Sequence, residues 1–155
     1  MAREGDLIRK AFKCHLLPGL ASIGFVGRMP NFQRLFPDSQ DLLTIQYHKY
    51  GGSFILEFGR RQRGSLQTSW GPLVAEEKVE VIYLPTNQRA RLQEVESQAS
   101  DLFAGFSFQH FGEDEQAYEA LAIRVLGLLP QVDAWLSSGA KGPNVQALGV
   151  VSPIV

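Results

Sequence analysis

Apolar and polar residues alternate on both sides of Gly51-Gly52, and this pattern predicts a β-hairpin over residues 42–58. If the two glycines form a two-residue loop, Ile45 faces Phe58 and the other apolar side chains pair in step with them. This register places the apolar residues of both strands on one face, whereas a slip by one residue would divide them between two faces. The hairpin therefore predicts an antiparallel sheet with one buried face.

Helical spacing of apolar residues predicts a helix at each end of the chain. Asp6 is the expected cap of the first helix, and Pro18-Gly19 is expected to interrupt it. Asp114 is expected to start the second helix. Pro130 either breaks this helix or begins a last short one.

Most segments between the two predicted helices have the alternation of apolar and polar residues that is typical of strands. Alternation predicts a strand over residues 78–84, and residues 89–96 are compatible with either a strand or a helix. Pro30 lacks an N–H group, so its strand is expected at a sheet edge or with a bulge. A cluster of four aromatic residues predicts another strand: Phe103, Phe106, Phe108 and Phe111.

This order of elements predicts an α+β fold, with an N-terminal helix, an antiparallel sheet of about four to six strands and C-terminal helices packed on one face. The length of 155 residues suits one domain. We expect residues 1–138 to form a single α+β domain and residues 139–155, which are rich in Gly and Pro, to form a C-terminal tail.

The charge and cysteine content narrow the function classes. A formal net charge of −1 argues against strong global attraction to nucleic acid or to acidic membranes. Cys14 is the only cysteine, which excludes an intrachain disulfide and suits a reducing compartment. The N-terminal residues carry no secretory pattern, and no apolar run approaches the 18 residues of a membrane span. We therefore expect a cytoplasmic protein without a membrane partner.

The second face of the predicted hairpin carries the polar candidates. Gln46, His48 and Tyr50 lie on one strand, and Glu57 lies on the other. This face is a solvated surface, a binding surface, or the site of an acid–base pair formed by His48 and Glu57. In the expected register His48 faces Ile55 and Glu57 faces Gln46, so the acid–base pair requires a diagonal contact.

Arginines follow the hairpin and recur later in the chain, as Arg60, Arg61, Arg63, Arg89 and Arg91. Guanidinium groups bind carboxylates and phosphates with two parallel hydrogen bonds. The arginines could form a basic patch for an acidic protein partner or for RNA, or they could be solubilising loop charge. Stacking aromatic residues are not interleaved with them, which disfavours nucleic acid.

Sequence motifs of the common enzyme classes are missing. The three histidines form no metal-binding pattern with each other or with the cysteine. No nucleophile elbow, phosphate loop or dinucleotide fingerprint occurs. We therefore expect no cofactor, no metal ion and no catalytic residue.

Four short motifs occur in order between residues 5 and 136. They are Leu20-Ala21-Ser22-Ile23-Gly24-Phe25, then Phe32 with Arg34, then Ile45-Gln46 with residues 54–59, and then Arg89-Ala90-Arg91-Leu92. In this order the chain resembles the bacterial family catalogued as domain of unknown function 4304. The resemblance implies an α+β fold and a bacterial origin, and it brings no established activity.

Small bacterial domains of this kind often lie beside secreted toxins as neutralising partners. By that analogy we expect a non-catalytic protein-binding module of the immunity type, with a protein rather than nucleic acid as its ligand. Two alternatives remain open: a small enzyme that uses His48 and Glu57, and an RNA-binding domain that uses the arginines. The residues do not indicate the oligomeric state.

Overall fold

A computed structural model describes residues 4–94 and 105–148. It confirms the predicted α+β fold, with helices at both ends of the chain and an antiparallel sheet between them. The helices are α1 (Glu4–Ala11), α2 (Leu17–Ser22) and α3 (Glu115–Ser138). The strands are β1 (Val26–Arg28), β2 (Asn31–Leu35), β3 (Ser39–Tyr47), β4 (Ser53–Gln62), β5 (Leu66–Gln67), β6 (Leu73–Val74), β7 (Arg89–Leu92), β8 (Phe106–Ser107) and β9 (Val145–Ala147).

Seven of the described strands form one antiparallel sheet. Its order is β1-β2-β3-β4-β7-β9, and β8 pairs with the beginning of β4. The remaining strands, β5 and β6, pair only with each other. All three helices pack on the same face of the large sheet, which we call the helix face, and we call the opposite face the second face.

The hairpin joins β3 to β4, but its register differs from the predicted one by two residues. Ile45 faces Leu56 rather than Phe58, and the loop contains four residues, 49–52. The Gly52 carbonyl accepts a hydrogen bond of 2.9 Å from the N–H of Phe108, the residue after β8. This bond holds Gly52 at the end of the loop, beside β8. Because a shift of two residues preserves the alternation, the same side chains still point to the helix face.

The N-terminal helical segment is longer than predicted. A π-helical turn, Phe12–Leu16, connects α1 to α2, so the chain remains helical through Pro18-Gly19. Pro18 comes just after the π-helical turn, where the regular i→i−4 ladder is already interrupted, so its missing N–H removes no regular helical bond. The predicted cap is also wrong, because α1 begins at Glu4 and Asp6 lies within its first turn.

The C-terminal helix begins after Asp114, as predicted, and continues past Pro130 to Ser138. The predicted break is therefore wrong. Pro130 is exposed, whereas Leu129 and Val132 on either side are buried against the sheet. This packing holds the helix together across the hydrogen bond that proline cannot donate.

Helix α3 is also long and apolar enough to cross a membrane, with a mean hydropathy of 1.2 over 18 residues. The sequence predicts no membrane span by the criterion of an uninterrupted apolar run, because polar residues interrupt the apolar ones in α3. Length and composition alone do not separate such a span from the core helix of a globular domain. In this fold α3 supplies buried side chains to the core, including Tyr118, Ala122 and Val125.

Residues 78–84 do not form the predicted strand. They belong to a series of short 3₁₀ turns, at Glu76–Lys78, Val81–Tyr83 and Thr86–Gln88. The position beside β4 that such a strand would need is occupied by β7. The apolar alternation has another cause, because Val79 and Val81 are buried with Leu42 and Leu84 in a small cluster on the second face.

Strand pairing shows the structure of three other segments for which the sequence made predictions. Residues 89–92 form strand β7, and residues 95–96 lie outside the described part of the chain. Phe106 begins β8, as the aromatic pattern predicts, and Phe103 lies outside the described residues. After Gly139 the chain returns to the sheet, where β9 pairs with β7, and residues 149–155 are not described.

Pro30 lies in the turn between β1 and β2 rather than within a strand. Strand β1 is an edge of the sheet in the described strand order. The carbonyl of Pro30 accepts a hydrogen bond of 2.9 Å from the Ile45 N–H, so the proline marks the end of the pairing between β2 and β3.

Gly59 allows the 3₁₀ segment to lie close against the second face. A Cβ atom at this position would lie 2.5 Å from the Gln88 carbonyl oxygen and 2.8 Å from Leu84 Cδ1. We expect Gly59→Ala to lower the free energy of unfolding by about 1–3 kcal/mol, measured by urea denaturation, because the segment must move away. The control is Gly127→Ala on α3, which has open space around it and should raise stability by up to about 1 kcal/mol through helix propensity. Equal stabilities of Gly59→Ala and the parent protein would contradict this packing.

Candidate functional site

The second face is divided into a covered end and an open end. The 3₁₀ segment covers Leu42 and Gly59, and its side chains form the small apolar cluster there. Gln46, at the other end of β3, is exposed, and Thr44 is half-buried. The candidate binding residues must therefore be judged one by one against their partners.

Glu57 lies on the second face but is buried, with 4% of its side chain exposed. Its Oε2 accepts a hydrogen bond of 2.9 Å from Arg89 Nη1, and its Oε1 accepts one of 2.9 Å from Arg91 Nε. Both arginines lie on the adjacent strand β7, where Arg91 stands directly opposite Glu57. Three predicted site residues thus form one internal ionic cluster.

The proposed acid–base pair is not assembled. Glu57 faces Thr44, and His48 lies four residues further along the chain, just past the end of β3 and about 13 Å away at the usual rise of a strand. His48 Nδ1 accepts a hydrogen bond of 3.2 Å from the Tyr50 N–H, and the two rings lie 5.6 Å apart. The register error explains the wrong expectation, because the predicted register placed Glu57 diagonally across from His48.

Arg60 points to the helix face, away from the other candidates. Its Nε donates a hydrogen bond of 2.6 Å to Asp41 Oδ1. Arg34 binds the same carboxylate through Nε, at 2.9 Å from Oδ2. Arg34 also contacts Asp133 of α3 at 2.9 Å, so these charges connect the sheet to the helix layer. The sequence contained a signal for Asp41, since it alternates with inward-facing Leu43 in β3.

Arg61 and Arg63 hold the loop between β4 and β5. Arg61 Nη1 donates hydrogen bonds to Gln40 Oε1 at 2.7 Å and to the Gly64 carbonyl at 2.8 Å, and burial lowers the pKa of its guanidinium. Arg63 forms a two-pronged ion pair with Glu76, at 2.8 Å and 3.0 Å. The five predicted arginines therefore lie on both sides of the sheet, and each one bonds within the chain.

The Glu76 carboxylate makes this loop sensitive to acid. The hydrogen bonds from Arg63 and from the Gly64 N–H lower the pKa of Glu76 from 4.5 to about 2. A depressed pKa means that the ionised group stabilises the fold above pH 4.5, and that this contribution disappears as the pH falls toward 2.

We therefore expect Glu76→Gln to be less stable than the parent protein at pH 7, and the difference to shrink as the pH falls from 4.5 to 2. Urea midpoints of both proteins across this range provide the measurement. The control is Glu77→Gln, since Glu77 is exposed and its carboxylate makes no ion pair within residues 4–94 and 105–148. A pH-independent difference for Glu76→Gln would refute the account.

The open end of the second face adjoins a groove of roughly 600 Å³. The groove follows the outer side of β3 and is bordered by α1, by the β1–β2 turn and by the 3₁₀ segment. Its lining residues are Arg9, Met29, Pro30, Asn31, Thr44, Ile45, Gln46, Tyr47, Glu57, Glu80 and Ile82. Gln46 and Glu57 are the two predicted site residues that line the groove. The other contributors include Arg9, Met29 and Ile82, which lie far apart in the sequence and share no motif.

Apolar side chains are exposed around this groove. Ile82, in the lining of the groove, is 66% exposed. A second depression of about 670 Å³ shares Asn31 and Glu80 with the groove and extends to Tyr83. The Trp70 ring packs edge-on against the Tyr83 ring at 5.6 Å and is 63% exposed. We call this continuous surface, from Tyr47 and Ile82 to Trp70, the apolar groove surface.

Within residues 4–94 and 105–148, no three His, Cys, Asp or Glu side chains are grouped so that they could hold a metal ion. His15 pairs instead with Glu119 of α3 at 3.1 Å.

Comparison with protein families, with curated proteins and with solved structures finds no match to this chain. The resemblance to the family of unknown function 4304 therefore stays a prediction from the four motifs.

Proposed function

We propose that this protein is a non-catalytic protein-binding module, an immunity-type partner that neutralises a toxin. The observation that carries the proposal is the apolar groove surface, where Ile82 is exposed in a groove of roughly 600 Å³ and Trp70 is exposed beside Tyr83 of the adjoining depression. Exposed apolar surface with aromatic residues and a polar rim is typical of sites where proteins bind other proteins.

The pairing of the charged candidates supports the same choice. Arg60, Arg63, Arg89 and Arg91 each contact a carboxylate of this chain, and such pairs lower the attraction of a guanidinium for phosphate. The separation of His48 from Glu57 removes the geometry on which the enzyme hypothesis depended. A partner would thus be recognised mainly by shape and apolar contact.

The resemblance to a bacterial family, and the exposed, unpaired Cys14, fit a partner encountered in a bacterial cytoplasm. Both the bacterial origin and the compartment belong to the proposal. Under it, the gene beside this one is the first place to seek the partner.

Co-expression with the protein encoded next door tests the proposal. We expect the two proteins to co-purify, and we expect Ile82→Glu to abolish the complex while the protein remains folded by circular dichroism. The matched control is Ile123→Glu, because Ile123 is 50% exposed on α3, away from the groove. Failure to find a stable partner there or in the native host, together with a measurable turnover, would overturn the proposal.

A further inference from the structure

Strand β3 is longer than the strand that covers its outer side. Strand β2 pairs with residues 40–44 of β3, and the chain then turns away at Pro30. The last residues of β3 therefore form an open stretch of sheet edge inside the groove. This open edge consists of Ile45, Gln46 and Tyr47.

The direction of the backbone groups follows from the ladder. The His48 N–H donates to the Ser53 carbonyl at 2.9 Å, so His48 and Gln46 point their backbone groups toward β4. Ile45 and Tyr47 point theirs the other way, and the Ile45 N–H is bound by Pro30. Pro30 has no N–H to return that bond. The Ile45 carbonyl and both backbone groups of Tyr47 thus face the groove, without a backbone partner among the described residues.

These three groups alternate as acceptor, donor and acceptor along an extended backbone. Such a row is matched by another extended backbone, which offers donor, acceptor and donor at the same spacing. An incoming strand would lie end to end with β2 and extend the sheet by a few residues.

The side chains around the edge restrict the sequence of that strand. On the helix face, the Arg9 guanidinium borders the groove. Arg9 also pairs with Asp6, but both side chains are at least half exposed, so this surface pair leaves the guanidinium able to bind a further carboxylate. The Tyr47 hydroxyl is buried without a hydrogen-bond partner among the described residues. Burial raises the pKa of Tyr47, and the nearby positive charge of Arg9 opposes this effect only in part, so the hydroxyl is a neutral donor. These two donors favour a carboxylate on the side chain of the incoming strand that points to the helix face. Ile82 and Met29 favour an apolar side chain at the neighbouring position of that strand.

We infer that the open edge of β3 binds an extended segment of a partner protein by β-strand addition, with an acidic side chain directed at Arg9 and Tyr47 and an apolar side chain against Ile82. The inference rests on the proposed function and specifies how the partner is held. Backbone pairing supplies part of the affinity, and the two side-chain contacts supply the specificity.

A library of random dodecapeptides displayed on phage provides a probe that does not require the natural partner. Selected peptides are expected to alternate acidic and apolar residues. Binding of a synthetic selected peptide is expected to weaken about tenfold or more in Ile82→Glu and in Arg9→Glu, since each removes one side-chain contact. The matched controls, Ile123→Glu and Lys13→Glu, carry the same changes on exposed helix positions outside the groove and should bind as the parent protein does.

Amide hydrogen exchange at Tyr47 separates strand addition from other modes of binding. We expect the Tyr47 amide to exchange rapidly in the free protein and slowly in the peptide complex. The Gln46 amide, directed at β4, should be protected in both states and serves as the internal reference.

The outcomes separate the inference from the proposed function. A Tyr47 amide that stays unprotected in the complex, a library without binders, or a homodimer that pairs two β3 edges would overturn strand addition. If the neighbouring protein still binds in an Ile82-dependent manner, the proposed function survives such a result. If no protein binds at all, the proposed function fails with it.

Discussion

Asp41→Asn is expected to lower the free energy of unfolding by about 3–5 kcal/mol, because it leaves two guanidinium groups near the core without their counter-charge. Asp41 is fully buried, and its carboxylate accepts hydrogen bonds from Arg34 at 2.9 Å and from Arg60 at 2.6 Å and 3.0 Å. The contact of Arg34 with Asp133 remains, but Asp133 is half exposed and compensates only in part. Urea denaturation at pH 7 measures the loss.

Asp38→Asn is the matched control for this variant. Asp38 lies in the exposed turn before β3, and its carboxylate makes no ion pair in the described part of the chain, so the same change should alter stability by less than about 0.5 kcal/mol. A second variant, with Arg34→Met, Asp41→Leu and Arg60→Met together, should regain most of the lost stability, because no unpaired charge remains buried and Asp133, which loses Arg34, is half exposed to water. A loss below about 1 kcal/mol for Asp41→Asn would show that water reaches this cluster.

Glu57→Gln is expected to lower the free energy of unfolding by nearly as much as Asp41→Asn does. The loss lies toward the lower end of about 3–5 kcal/mol, because Arg89 and Arg91 keep some contact with water. Their side chains are 14% and 22% exposed, whereas that of Glu57 is 4% exposed. Thermal and urea denaturation both report the effect. The expected result follows from the role of Glu57 as the link between β4 and β7, and not from any role in chemistry.

The control for Glu57→Gln is Glu113→Gln, an exposed residue before α3 that should tolerate the change. Replacing Glu57 by Leu together with Arg89→Met and Arg91→Met should restore the stability. If Glu57→Gln instead left stability intact and abolished a measured turnover, Glu57 would be a catalytic residue and the structural assignment would be wrong.

The sequence alone predicted the hairpin faces correctly and its pairing incorrectly, for a physical reason. Alternation has a period of two, so it determines which side chains share a face and cannot distinguish registers that differ by two residues. That distinction depends on Gly52 and β8, which lie more than fifty residues apart. The faces of Ile45 and Leu56 were therefore predictable, while the separation of His48 from Glu57 was not.

In the candidate site, too, local features were predictable from the sequence and contacts between distant residues were not. Residue type left carboxylates and phosphates open as ligands of the five arginines. It did not indicate that four of them bind carboxylates of this chain or that Arg61 binds an amide oxygen and a backbone carbonyl. Residues 78–84 alternate because Val79 and Val81 are buried against Leu42, which imitates the pattern of a strand. The groove brings together Arg9, Pro30 and Ile82 from three distant segments, and no local pattern predicts such a surface.

The central claim is that recognition uses the apolar groove surface and that Arg60, Arg61, Arg63, Arg89 and Arg91 serve the fold. Calorimetric titration of the neighbouring protein into three versions of this chain tests it most directly: the parent, Ile82→Glu and Arg63→Gln. We predict that Arg63→Gln binds with the affinity of the parent and that Ile82→Glu binds about tenfold more weakly or not at all. The opposite pattern, with binding lost in Arg63→Gln and retained in Ile82→Glu, would contradict the claim.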